Sequence, residues 1–237
     1  MAKSQSTIKN NSEISLDEIY LENVTLKMLG RDPVLQSVNI HLPIDQTLVI
    51  ESSNPQNAVC FLNFLAGRMD CESGQILWNG ENIFSADNEV STESLLSCYF
   101  ENHFANRSQT VGTAINTIAA NCDGYDAIEQ FDFSDILNVP IKSVSYDLQK
   151  TIFLIQKIMQ PAQTLILEDP AMGLSEFNWL QILDLIQYQQ RRGHFRHVYM
   201  TNHHPTALRH LAFNKIFIED GLIYFDEDAG YKKASHF

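Results

Sequence analysis

The sequence predicts an α/β fold, in which strands and helices alternate along the chain, and three stretches support this prediction. The β-branched run 47–50 enters a short polar loop that leads into an apolar helix, residues 58–66. The largely apolar run 164–167 is typical of a parallel strand with both faces covered. Residues 177–192 place apolar side chains at the spacing of one buried helical face. Strand–helix units of this kind build a parallel sheet with helices packed on it.

The other elements divide the chain into a tail, one domain and a second tail. Residues 18–27 and 33–42 alternate like two paired strands, and 215–219 with 222–225 read as a hairpin. Residues 110–120 have helical character. The predicted boundaries are 1–15 for a flexible N-terminal tail, 16–230 for the domain, about 102–145 for a helical subdomain within it, and 231–237 for a C-terminal tail.

Composition limits the classes of function. The 237 residues are 44% hydrophobic, which is enough for one domain with a sizeable core. A net charge of −13 argues against a nucleic-acid partner, because binding phosphates requires clustered cations. The four cysteines show no CxxC spacing and are expected to be reduced thiols. We see no signal peptide and no apolar run of about 18 residues, so we expect a cytoplasmic protein that does not insert into a membrane.

The segment 46–80 resembles the phosphate-binding core of an ATP-binding cassette (ABC) ATPase, whose loop reads GxxxxGK[ST], and Leu65-Ala66-Gly67 sets the register. In that register Ser52 and Asn57 replace the two glycines, Ala58 the lysine, Val59 the magnesium-binding hydroxyl and Cys60 the next threonine. Losing the lysine and the metal ligand weakens nucleotide binding by roughly two to four decades. Cys60 could also be read as a nucleophile at a helix start, but its apolar neighbours favour a core cysteine.

The resemblance continues along residues 18–226. Residues 144–148 read VSYDL where the family has LSGGQ, so Ser145 is kept while Tyr146 and Asp147 replace both glycines. Glu101 stands at the family's glutamine position, which contacts the metal and signals to a membrane partner. The tyrosine fills the gap through which the family's second subunit brings nucleotide to the backbone, and the aspartate would repel phosphate.

The carboxylates after the strand 164–167 are exchanged relative to the family. Glu168-Asp169 stands where the family has Asp-Glu, so each carboxylate is displaced by about one methylene, and a misplacement of about 1 Å can cost 10²-fold in rate. The pair can be read as a residual acid/base site or as solvated loop carboxylates. His203 matches the family's phosphate-sensing histidine; His204 and His210 add no ligand pattern, and we predict no metal site.

The resemblance implies a P-loop NTPase-like mixed sheet with an N-terminal antiparallel β-subdomain and a short helical subdomain. In the family, each ATP site joins the loop of one subunit to the signature of the other. Both are altered here, so the favoured interpretation is a pseudo-ATPase without cofactor, a structural or regulatory subunit of a membrane-associated transporter-like complex. The alternatives are a divergent subunit that still binds or hydrolyses ATP with Mg²⁺, and a module binding another ligand in the vacant loop.

The resemblance also implies a partner surface. In the family, the cleft beside the glutamine position receives a short helix from the membrane subunit. Phe100 and Phe104 flank Glu101 and are the predicted contacts. The expected partners are an integral membrane subunit, other complex subunits, or a homo- or heterodimer mate, which would hold the protein at the inner face of a membrane.

Overall fold

The computed structural model describes residues 17–85, 95–100, 108–120, 131–202, 213–227 and 230–233. Its strands are β1 (Ile19–Lys27), β2 (Pro33–Leu42), β3 (Thr47–Glu51), β4 (Ser73–Trp78), β5 (Leu96–Tyr99), β6 (Thr164–Leu167), β7 (His197–Thr201), β8 (Asn214–Glu219), β9 (Leu222–Glu227) and β10 (Gly230–Lys233). Its helices are α1 (Pro55–Leu65), α2 (Val111–Ala120), α3 (Tyr146–Met159) and α4 (Glu176–Arg191), with short 3₁₀ turns at Ser134–Ile136 and Ile141–Ser143.

The strands form two sheets. A three-stranded antiparallel sheet has the order β2-β1-β4, and a seven-stranded sheet has the order β10-β9-β8-β3-β7-β6-β5. Strands β8, β3, β7, β6 and β5 run parallel, and β9 and β10 add antiparallel at one edge. The mixed α/β architecture with an N-terminal antiparallel sheet is therefore confirmed.

The large sheet separates two cores, as the alternation of side chains along a strand requires. In β3, Leu48 and Ile50 face the core shared with α1 and the antiparallel sheet. Val49, between them, faces the core shared with α2, α3 and α4. β3 thus lies at the centre of the domain and carries the loop that follows it.

Some element boundaries differ from the sequence analysis. Helix α1 begins at Pro55 rather than at residue 58, because Asn54 caps it and Pro55 suits its first position. The segment after Gly67 forms β4, which pairs antiparallel with β1. The predicted C-terminal tail, 231–237, is wrong for residues 231–233, which lie in β10. These residues pair with β9, whose backbone groups would otherwise form an open sheet edge.

Candidate functional site

The loop after β3 is short because the chain turns helical early. Asn54 is the N-cap of α1, and its side-chain oxygen accepts a hydrogen bond from the backbone N–H of Gln56 at 3.2 Å. Pro55 takes the first helical position, where it needs no backbone donor. Residues 55–57 are therefore wound into the first turn, where Pro55 has no N–H to offer a phosphate and the amides of Gln56 and Asn57 donate to Asn54. None of residues 52–57 has a positive φ, so the loop lacks the backbone curvature of a phosphate nest.

A carboxylate of the chain itself occupies what remains of the loop. The backbone N–H of Ser53 donates to Oε1 of Glu219, and the Ser53 hydroxyl donates to Oε2 at 2.7 Å. The Ser52 hydroxyl donates to the carbonyl oxygen of Ile218, also at 2.7 Å. Donors that face the end of β3 are thus satisfied by the end of β8, and an incoming phosphate would have to displace an anion.

Ala58, at the lysine position, and Cys60, at the position of the next threonine, are buried in the protein rather than turned toward a ligand. Ala58 is only 2% exposed and belongs to the core under α1. Cys60 is 5% exposed, and burial raises its thiol pKa to about 11. Because a neutral thiol is a poor nucleophile, Cys60 is better described as a core residue, with its Sγ 3.3 Å from Sδ of Met69.

The two carboxylates after β6 have different surroundings. Glu168 lines a groove together with Val59, and its backbone N–H donates to the carbonyl oxygen of Tyr99 at 2.9 Å. Asp169 is 5% exposed and has a positive φ of 40°, and its backbone N–H donates to the Thr201 hydroxyl at 3.0 Å. The structure therefore places Glu168 at the site and folds Asp169 into the turn that follows.

A buried lysine that the sequence analysis did not single out holds that turn. Lys150 on α3 is fully buried, and its ammonium donates to the carbonyl oxygens of Asp169 at 2.9 Å and Met172 at 2.7 Å. It also lies 5.5 Å from the centre of the Tyr99 ring. The sequence feature that could have identified Lys150 is its position four residues before Leu154, which puts both side chains on the inward face of the helix.

Two cavities adjoin the loop. The first is a groove of about 670 Å³ bordered by α1 and β6 and lined mostly by apolar side chains: Met28, Pro55, Gln56, Val59, Cys60, Asn63, Arg68, Met69 and Glu168. The second is a more open cleft of about 1380 Å³, whose charged lining residues are Lys27, Arg31, Asp32, Asp70, Glu72, Glu219 and Asp220. Five carboxylates against two cations make the second cleft a poor setting for a triphosphate.

Comparison with known proteins settles the family. A sequence profile described as ABC transporter matches residues 35–172, more than half of the chain. The chain belongs to the ABC transporter family. It is 25% identical over 190 residues to the cytochrome c biogenesis ATP-binding export protein CcmA of Legionella pneumophila (strain Lens), covering 74% of this chain and 88% of that protein. The strain Paris protein of the same name is 24% identical over the same coverage.

Solved ABC structures share the fold. The crystal structure of a nucleotide-free ATP-binding cassette from an ABC transporter matches with a TM-score of 0.66 at 13% identity, covering 92% of both chains. The structure of cbiO1 from Clostridium perfringens, described as part of the ABC transporter complex cbiONQ, matches with a TM-score of 0.66 at 16% identity, covering 86% of both. At these identities the likeness concerns the fold.

The altered ABC signature makes contacts within the chain. Ser145 is the N-cap of α3, and its hydroxyl oxygen accepts from the backbone N–H of Leu148 at 3.3 Å. The Tyr146 ring lies over Gly173, since a Cβ added there would be 2.6 Å from Cε1 of the tyrosine. The carboxylate of Asp147 accepts a hydrogen bond from the Asn178 side chain at 2.9 Å. Tyr146 thus connects α3 with the turn before α4, and Asp147 connects α3 with α4 itself.

The structure removes one of the two phenylalanines from the predicted partner surface. Phe100 is 5% exposed, and the Arg68 guanidinium covers its ring at 3.9 Å from the ring centre. It is a core residue, so its assignment to a partner surface is wrong. An apolar side chain next to Glu101 in the sequence can belong either to the core or to a partner surface, and the sequence alone does not distinguish these. Glu101, Phe104, His203, His204 and His210 lie outside the described residues. Among the residues that are described, no group of three or more metal-ligating side chains occurs.

Proposed function

We propose that this chain is a degenerate ABC subunit that does not hydrolyse ATP and serves a structural or regulatory role in a membrane-associated complex. One observation carries the proposal: the phosphate loop is wound into α1 from Pro55, and its remaining donors at Ser53 hold Glu219. A missing lysine alone could be supplied by a rearranged side chain. A missing backbone cradle cannot, because Pro55 has no N–H and the amides of Gln56 and Asn57 already donate to the side-chain and carbonyl oxygens of Asn54.

The partner is proposed by analogy with relatives. The CcmA proteins are named export proteins, and cbiO1 is described as part of a transporter complex. None of the described helices has the length and apolarity of a membrane span. By this analogy an integral membrane subunit would hold this chain at the inner face of a membrane, and Phe104 remains the proposed contact beside Glu101.

The competing proposal is a divergent subunit that still uses ATP. Its support is the printed name of the relatives, which are ATP-binding proteins, and the position of Glu168 in the groove beside Val59. Under that proposal Mg²⁺ would lie near Glu168, although Val59 offers it no oxygen ligand.

We expect no ATP hydrolysis above background and no heat of binding. Calorimetry with ATP, with and without Mg²⁺, should show no saturable binding at about 1 mM ligand, because loop amides and lysine are both missing. Phosphate release at millimolar ATP should equal that of a heat-denatured sample. A steady rate that disappears on Glu168→Gln or Asp169→Asn would establish a working site and overturn the proposal.

Restoring the lysine should not restore the site. Ala58 is 2% exposed, so Ala58→Lys forces an ammonium into the core or strains α1 to release it, and should lower the free energy of unfolding by about 2 kcal/mol or more without creating ATP binding. The control is Gln56→Lys, which adds the same charge to an exposed position of the same turn; it removes the surface hydrogen bond from Arg31 and should cost less than about 1 kcal/mol. Micromolar ATP affinity in the Ala58→Lys protein would mean that the loop keeps a phosphate-binding shape.

A further inference from the structure

Three sulfur-bearing side chains line the apolar groove beside α1. Cys60 lies on the helix, Met69 lies shortly after its end, and Met28 follows β1. The Sγ of Cys60 is 3.3 Å from the Sδ of Met69. Met28 and Met69 are partly buried and pack against the core that contains Cys60. Two soft donors are therefore already in contact and a third borders the same cavity, and we call Cys60, Met69 and Met28 the sulfur cluster.

The chemistry of these donors selects a class of metal ion. Among the described residues, no three histidine, cysteine or carboxylate side chains are grouped so that they could hold a metal ion. Thioether sulfur is a further donor, and a thiolate combined with thioethers suits soft ions such as Cu(I), whereas Mg²⁺ and Ca²⁺ require oxygen ligands. Zn²⁺ takes thiolate, imidazole or carboxylate, usually four of them, rather than thioether. The sulfur cluster therefore favours Cu(I).

The charge of the groove favours a monovalent ion as well. Cys60, Arg68 and Glu168 are the ionisable side chains among its lining residues, and the last two carry opposite charges. A thiolate at Cys60 neutralises one positive charge, so a monovalent ion leaves the groove with no net charge. A divalent ion would leave one uncompensated positive charge among mostly apolar side chains, which is costly.

The ion would take the place of a proton. Burial raises the pKa of the Cys60 thiol to about 11, so its sulfur is protonated at neutral pH and donates to the Met69 thioether. Binding exchanges the S–H bond for an S–metal bond and releases one proton to solvent, with no change in oxidation state. The two sulfurs must move slightly apart to admit the ion. Met69 allows this, because its thioether is carried on three rotatable bonds and is only partly buried.

We propose that the groove binds one Cu(I) ion through the sulfur cluster, with Cys60 as the thiolate ligand and Met69 and Met28 as thioether ligands. The site lies beside the replaced phosphate loop, where Val59 offers no oxygen to Mg²⁺. The inference goes beyond the proposed function, and the two fail separately. Absence of Cu(I) binding would leave the ATP measurements unchanged, and ATP binding to the metal-free chain would leave the sulfur ligands in place.

The test is a competition between the full chain, without nucleotide, and a coloured Cu(I) chelator under anaerobic conditions with ascorbate present. The chain should withdraw one equivalent of Cu(I), and its affinity should rise about tenfold per pH unit between about pH 6 and pH 8, since each ion displaces one proton. X-ray absorption of the loaded chain should show a first coordination shell of sulfur alone. An excess of Zn²⁺ should not displace the ion.

Variants assign the ligands. Cys60→Ser should weaken Cu(I) binding at least about 100-fold, and Met69→Leu and Met28→Leu about 10-fold each, because leucine keeps the volume and removes the donor. Cys98→Ser is the matched control: burial also raises the pKa of that thiol to about 11, but it lies on β5 outside the groove lining, and its loss should change nothing. Unchanged melting temperatures confirm that each variant is folded.

Several results would overturn the proposed Cu(I) site. They are a wild-type chain that withdraws no Cu(I), a Cys60→Ser chain that binds as tightly as wild type, and a Cys98→Ser chain that is weakened as much as Cys60→Ser. An unchanged affinity in either methionine variant would overturn the three-sulfur assignment. So would nitrogen or oxygen atoms in the first shell, or displacement of the ion by Zn²⁺.

Discussion

Replacing Lys150 with methionine should lower the free energy of unfolding by about 2–4 kcal/mol, one of the largest effects of a single side chain in this protein. Methionine has a similar length but offers no donors. The carbonyl oxygens of Asp169 and Met172 would then be left without the ammonium that now binds both, and each unsatisfied buried acceptor costs about 1–3 kcal/mol. Methionine avoids the desolvation cost of a buried ammonium, but this saving offsets only part of the loss.

Urea unfolding followed by tryptophan fluorescence measures the effect, since Trp179 on α4 is buried in the core next to α3. Lys157→Met is the control on the same helix. Its ammonium is only partly buried and is hydrogen-bonded to the Gln160 side chain at 3.2 Å, so its replacement should cost less than about 1 kcal/mol. Equal stability of the two variants would show that Lys150 is not needed to hold the turn.

Gly74→Ala should destabilise the antiparallel sheet by about 3 kcal/mol or more. Gly74 has a φ of +84°, which already costs alanine about 1–2 kcal/mol. A Cβ at this position would also overlap the backbone carbonyl oxygens of Glu22 and Asn23 on β1, and backbone of a paired strand cannot move aside cheaply. The added overlap is what separates this glycine from an ordinary turn glycine.

Gly80→Ala is the control, because it has the same unfavourable φ without the steric overlap. Gly80 has a φ of +79°, close to that of Gly74, but a Cβ there meets no other atom within 4 Å. Its replacement should cost only the conformational term of about 1–2 kcal/mol, so the two melting temperatures should differ by several degrees. If both substitutions lowered stability equally, the close approach of β4 to β1 at Gly74 would carry no energetic weight.

The fold could be predicted because its signals are periodic and local. The run 164–167 is largely apolar, and the structure places it as β6 between β5 and β7 in the parallel part of the sheet. Residues 177–192 were predicted as a helix from their buried face, and α4 differs from that by one residue at each end. The start of α1 was placed three residues late, because a register taken from a motif overrode the capping signal of Asn54-Pro55.

The site could be predicted only where its parts are close in sequence. The replaced loop and signature residues were identified by position, and Tyr146 proved to contact Gly173, which no spacing rule indicates. Glu219 was missed because it lies 166 residues from Ser53, and only the parallel pairing of β3 with β8 brings them together. Burial of an aromatic residue such as Phe100 depends on what covers it, which one strand does not show.

The contact between Ser53 and Glu219 also concerns how the protein responds to the metabolic state of a cell. A ligand that binds only the folded state raises the free energy of unfolding by RT ln(1 + [L]/Kd), which is about 2.7 kcal/mol when the ligand concentration is a hundred times Kd. The protein loses this stabilisation when the ligand is depleted. Here the group that binds the Ser53 donors is the Glu219 carboxylate on β8 of the same chain, and its local concentration does not change with the state of the cell. Under the proposed function, the lifetime of this subunit in an energy-starved cell would not depend on the nucleotide pool and would be governed by its own core and its binding partners.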